Sequence, residues 1–112
     1  MTHLRIETED ELYLEEQEIH AIINGQEYIY SLDVIEKIVM LTTDLGPFYD
    51  DMGLAIDVGN ETAVFIMSEH ECFQPFLFEQ IGKVLPIDFQ KVIDASMCKD
   101  NNVFEIYRKD PL

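Results

Sequence analysis

The segment that most limits what this chain can fold into is EIHAIINGQEYIYS, residues 18 to 31, in which Asn24-Gly25 separates two alternating runs rich in β-forming residues. Asparagine and glycine tolerate a positive φ best, and a two-residue type I′ turn needs one at both central positions. The pair therefore predicts a hairpin in which Ile23 faces Gln26, Ala21 faces Tyr28 and Ile19 faces Tyr30. Because strand side chains alternate, Ile19, Ala21, Ile23, Tyr28 and Tyr30 share one face. His20, Ile22 and Ile29 share the other with Glu27 beside them, and His20 reads there as a partly buried structural histidine.

Leu4 with Ile6, and Leu12 with Leu14, mark two short strands before the hairpin. After it, a brief turn around Asp33 leads to a strand near residues 36 to 43, rich in Ile, Val and Thr. A helix over residues 33 to 41 competes, but no acceptable C-cap follows, and Thr42-Thr43 lead straight into a loop that Gly46-Pro47 interrupts. MGLAIDV and TAVFIM then flank Gly59-Asn60, a second hairpin signal of the same class. Its faces are expected to be Leu54, Ile56 and Phe65 against Ala55, Val64 and Ile66, the pattern of central strands covered on both sides.

From Ser68 the period becomes helical, with Phe73, Phe76, Leu77, Ile81 and Val84 on one side. Pro75 suits only a first turn, so this helix should start near Cys72, with residues 68 to 71 as a lead-in turn or a capping box. Asp88 caps a shorter helix whose apolar side is Phe89, Val92, Ile93 and Met97, and residues 103 to 108 close as a strand. Strands followed by two helices and a returning strand predict an α+β domain. Its sheet is antiparallel and twisted, with about five to seven strands, and both helices pack on one side. The order also suits a partly closed, PH-like roll.

The 112 residues carry 23 acids against 7 Lys or Arg, a formal net charge of −16. Residues 1 to 82 hold 18 of those acids and only Arg5 and Lys37, whereas residues 83 to 112 hold 5 acids and 5 bases. With 47% apolar residues the chain can still fold as one domain despite its self-repulsion. Such a surface repels duplex nucleic acid and anionic lipid, both of which reward clustered Lys and Arg. No apolar run approaches the roughly 18 residues of a membrane span. A cytoplasmic protein with neither nucleic acid nor membrane as partner is the expectation, and Cys72 and Cys98, without metal-type spacing, are expected as free thiols. Exposed charges are screened beyond about 8 Å, so the acids attract a partner only where they cluster.

The loop TTDLGPFYDDMG brings Asp44, Asp50 and Asp51 together around Gly46-Pro47. Three carboxylates can bind a hard cation, although the spacing is not that of an EF-hand, and the plainer reading is an Asx-turn with solvated acids. Phe48 and Tyr49 beside them suit a protein contact. Glu69, His70, Glu71 and Cys72 are metal-ligand types, but consecutive residues point in different directions, so no metal or cofactor is assigned. Neither cysteine has an identifiable base and orienting group, and no nucleophile elbow, phosphate loop or dinucleotide fingerprint occurs. No catalytic residue is assigned. The acidic run Glu7, Glu9, Asp10, Glu11, Glu15, Glu16 and Glu18 reads either as a solvated edge that blocks aggregation or as part of a face for a basic protein.

Residues 32 to 109 contain IEKIVMLTTDLGPFYDD, FQPFLFEQI, LPIDFQKVIDA and the D-N-x-x-F strand from Asp100 to Phe104. On these blocks the chain resembles a family of small bacterial proteins of unassigned function. The resemblance implies an intracellular, single-domain α+β protein with no catalytic motif to carry over. Met97-Cys98-Lys99 departs from the family's apolar or glycine-serine step before the final Asp-Asn. The expected function is a non-enzymatic protein-binding module. Glu15, Glu16, Glu18, Asp44, Phe48, Tyr49, Asp50 and Asp51 form its contact surface, and its sharper form is an immunity- or inhibitor-type protein acting on a basic partner. The alternative is a small metal-dependent enzyme using Asp44, Asp50 and Asp51. Homodimerisation through the apolar second face of the central hairpin is compatible with either.

Overall fold

The computed structural model describes residues 2–42, 52–98 and 100–109. Its fold is α+β, as expected. The eight strands among the described residues are β1 (Thr2–Ile6), β2 (Glu11–Glu15), β3 (Glu18–Ile23), β4 (Gln26–Ser31), β5 (Lys37–Thr42), β6 (Met52–Asp57), β7 (Thr62–Met67) and β8 (Asn102–Arg108). They divide between a five-stranded sheet, ordered β1-β7-β6-β5-β8, and a three-stranded antiparallel sheet, β2-β3-β4. One continuous antiparallel sheet is not formed, because β1 runs parallel to β7 and the chain then leaves that sheet at the β1–β2 turn. The buried carboxylate of Asp10 holds that turn: one oxygen accepts the Glu7 N–H at 2.8 Å and the other the Asn24 N–H at 3.1 Å.

The first hairpin has the expected register, with Ile23 opposite Gln26 and Ile19 opposite Tyr30, and φ is 53° at Asn24 and 80° at Gly25. The second does not. Three successive residues there have positive φ, Gly59 (83°), Asn60 (53°) and Glu61 (57°), and the Val58 N–H donates to the Thr62 carbonyl at 3.0 Å across them. This loop is one residue longer than a type I′ turn, so Leu54 faces Ile66, Ala55 faces Phe65 and Ile56 faces Val64. A one-residue slip moves every side chain of the partner strand to the other face. The core face is therefore Leu54, Ile56, Val64 and Ile66, all buried, while Ala55 and Phe65 share the outer face with Phe65 half-buried.

Between the two sheets lies one apolar core. The large sheet contributes Ile6, Ile38, Met40 and Ile106 beside the residues just named, and the small sheet contributes Leu12, Ile19 and Ala21. The first helix is wound wide, with π-type turns over Pro75–Ile81 closing as an α-turn over Gly82–Val84, and it buries Phe76, Leu77 and Ile81. Gln80 fastens it to the small sheet by accepting the Leu14 N–H at 2.7 Å. Instead of a Ser68 capping box, the His70 ring accepts the Cys72 N–H at its start. The second helix, Phe89–Met97, is capped by Asp88 as expected, its carboxylate accepting the Lys91 N–H at 3.2 Å, and it buries Val92 and Ala95. A bulge in β8 opposite Ile38/Val39 frees the Ile106 carbonyl to accept the Asp88 N–H at 2.8 Å.

Candidate functional site

The small sheet turns one face to the core and the other outward, and pairing of its strands fixes what the outer face contains. Its rows across the three strands are Glu11–Ile22–Glu27, Tyr13–His20–Ile29 and Glu15–Glu18–Ser31. Four of these nine positions are Glu and none is Lys or Arg. At the centre, the Tyr13 and His20 rings lie parallel with centroids 4.9 Å apart, and His20 Nδ1 is 3.2 Å from a Glu27 carboxylate oxygen. Ile29 stays 46% exposed beside them, so the centre is apolar and aromatic while its surround is anionic. Desolvation against the sheet raises the Tyr13 phenol above its ordinary pKa, and the carboxylates of Glu27, Glu15 and Glu11 raise it further. Acids from both outer strands thus act on one ring.

Two features of this face oppose stability. Glu15 and Glu18 are direct cross-strand partners, an arrangement of like charges that destabilises a pair of strands. The turn joining them places Glu16 at φ 52° and Gln17 at φ 68°, the backbone of a type I′ turn without the Asn or Gly that suits it.

Of the acids considered from sequence, Glu15 and Glu18 lie on this face and Glu16 on its rim. Glu7 pairs instead with Arg5 at 3.2 Å, and Asp10 is a buried structural ligand of main-chain amides. Asp44, Phe48, Tyr49, Asp50 and Asp51 lie outside the described residues, and with them the metal-dependent alternative. Sequence reasoning placed Glu27 beside His20 without counting it in the contact surface, and the member that it missed is Tyr13. The alternation Glu-Leu-Tyr-Leu-Glu in β2 was the available signal, and without the 16–17 turn there was no way to place it beside His20. His20 is indeed partly buried, with 13% of its side chain exposed, but it stands at the centre of the charged face.

Among the described residues no group of three or more His, Cys, Asp or Glu could hold a metal ion, and Cys72 and Cys98 are free thiols. An apolar cleft of about 320 Å³ lies between the two helices, lined by Phe73, Phe78, Phe89, Val92 and Ile93. No helix among the described residues is long and apolar enough to cross a membrane. No protein family, curated protein or solved structure matches the chain.

Proposed function

We propose that this protein is a non-enzymatic, cytoplasmic protein-binding module whose acidic sheet face meets a basic protein surface. The observation that carries the proposal is the placement of Glu11, Glu15, Glu18 and Glu27 around the Tyr13–His20 stack on one face. An aromatic centre within a polar rim is the usual anatomy of a protein interface, and a single sign of charge on the rim mainly raises the rate of encounter and rejects wrong partners. The retained like-charge pair and strained turn fit a surface selected for binding. An inhibitor or immunity protein that covers the cationic substrate site of a nuclease or other toxin is the form that this chemistry suits best.

The test is retention of partners on immobilised protein at low and high salt, with the quadruple variant E11Q/E15Q/E18Q/E27Q as comparison. The expected outcome is that basic proteins are held at low salt, released at high salt and not held by the variant. If nothing basic is retained, or if the variant retains the same proteins, the face is not a docking site.

A further inference from the structure

His70 has both ring nitrogens engaged by main-chain groups of different elements. Nδ1 accepts the Cys72 N–H at 3.0 Å, and Nε2 lies 2.8 Å from the Glu7 carbonyl oxygen. A backbone N–H only donates and a carbonyl only accepts, so these partners select one tautomer, with Nδ1 bare and the proton on Nε2. The ring thereby ties the start of the first helix, where the Cys72 carbonyl accepts the Phe76 N–H at 3.0 Å, to the turn between β1 and β2. The connection runs on from there. The Glu7 carbonyl also accepts the Asp10 N–H at 2.9 Å, and the Asp10 carboxylate holds the amides of Glu7 and of Asn24 at the tip of the small sheet.

We propose that His70 is a pH-operated latch between the first helix and the small sheet, closed when its ring is neutral and opened at the Cys72 amide when the ring takes up a second proton. An imidazolium carries two N–H donors and no acceptor, so the Cys72 N–H loses its partner and meets another donor. The ring borders a cleft of about 510 Å³ whose lining includes Arg5, Glu7, Thr8, Glu69 and Glu71. The charged groups facing it are therefore Arg5 and Glu7 from β1 and its turn, and Glu69 and Glu71 from its own turn. Glu11 and Tyr13 of β2 lie across the adjoining groove with Glu71 and Cys72, and the helix side of that groove presents Pro75 and Gln80, which do not titrate. Carboxylates in this cleft supply acceptors for the new N–H, giving the charged ring a second resting position. This device does not depend on what the acidic face binds.

The experiment follows the ring nitrogens of His70 by ¹⁵N NMR. It measures alongside them the exchange protection of the Cys72 amide, corrected for its intrinsic rate, across the ring's own titration. The neutral ring is expected to show the Nε2–H tautomer. As the ring becomes charged, Cys72 protection should fall about fivefold to tenfold, the scale of one hydrogen bond. In His70→Asn, the side-chain oxygen can accept the N–H two residues on, as in an Asx-turn, and does not titrate. Its Cys72 protection should stay flat over the same range. An Nδ1–H tautomer in the neutral protein, protection that does not change while the ring titrates, or an equal fall in the Asn variant would each overturn the latch. If that variant does not fold, the wild-type shifts and exchange decide the matter alone.

Discussion

The outer faces of the two sheets are alike in having an apolar centre and differ in how their charges are treated. On the small sheet four Glu surround Tyr13, His20 and Ile29, two of them directly opposed. On the large sheet Val39, Leu41, Ala55 and Phe65 lie between His3 and Arg5 on one side and Lys37 and Arg108 on the other. Of its acids, Glu105 is neutralised locally: Arg108 grips it through two bonds of 2.6 and 2.7 Å, and that hydrogen bonding holds the Glu105 carboxyl below its ordinary pKa, while Asp57 accepts the Gly59 N–H and stands opposite Lys37. Both bases of residues 1 to 82, Arg5 and Lys37, sit on the large sheet and neither on the small one. The excess of acid along the chain is therefore also an excess in space.

The largest effect should separate the faces themselves. Ile56→Ala, fully buried on the core face, should cost about 2–5 kcal/mol. Phe65→Ala, half-buried on the outer face, should cost only about 1–2 kcal/mol, a partial share of the ring's transfer energy. Denaturant melts of both variants measure this, and a greater cost for Phe65 would reverse the assignment of core and outer face. The next effect concerns the turns of the small sheet. Gln17→Gly should stabilise by about 1 kcal/mol by relieving a left-handed residue, whereas Gly25→Ala should destabilise by a similar amount. Loss of stability in Gln17→Gly would show that the acidic turn is not strained and remove one reason for reading it as functional.

These turns also show why some of the fold was legible in sequence and some was not. Asn24-Gly25 carries its backbone preference in its own chemistry, so the register of β3 with β4, and the faces that follow from it, could be read residue by residue. Gly59-Asn60 has similar chemistry, yet Glu61 also adopts a positive φ, and nothing in glutamate announces that. The extra residue moved Phe65 to the outer face. Glu16-Gln17 gave no turn signal at all, which hid the pairing of β2 with β3 and hence the cluster around Tyr13. The parallel pairing of β1 with β7 joins Thr2 to Thr62, too far apart along the chain for any local pattern to report. The helices were easier, because Pro75, Asp88 and the apolar period act within a few residues, although the wide winding over Pro75–Ile81 had no local marker.

A smaller effect sharpens the contrast in charge. Glu18→Gln removes the like-charge partner of Glu15 and should stabilise by about 0.2–1 kcal/mol at low salt. The gain should shrink as salt is raised, since the repulsion it relieves is exposed and screened. On the large sheet the opposite sign is expected: Glu105→Gln removes half of an exposed ion pair and should leave the melting temperature nearly unchanged or slightly lower. If both substitutions move stability in the same direction, the two faces do not differ in the way their geometry indicates.

The smallest effect at neutral pH is also the most local test of the cluster. The Tyr13 phenol is raised by desolvation first and then by Glu27, Glu15 and Glu11, so the fold favours its neutral form. Below about pH 10 the phenol is protonated whether the chain is folded or not, and this preference is fully present. As pH rises further the unfolded chain ionises first, and stability falls until the folded phenol ionises as well. Glu27→Gln takes away the strongest of the three carboxylate contributions, so the Tyr13 titration, followed by ¹³C NMR of the ring, should move down toward the ordinary value. Added salt should move it the same way in the wild type and less in the variant. A titration that ignores both changes would leave burial as the sole cause of the shift. The four glutamates would then be separate solvated charges rather than one field, and the contrast between the two sheets would reduce to composition.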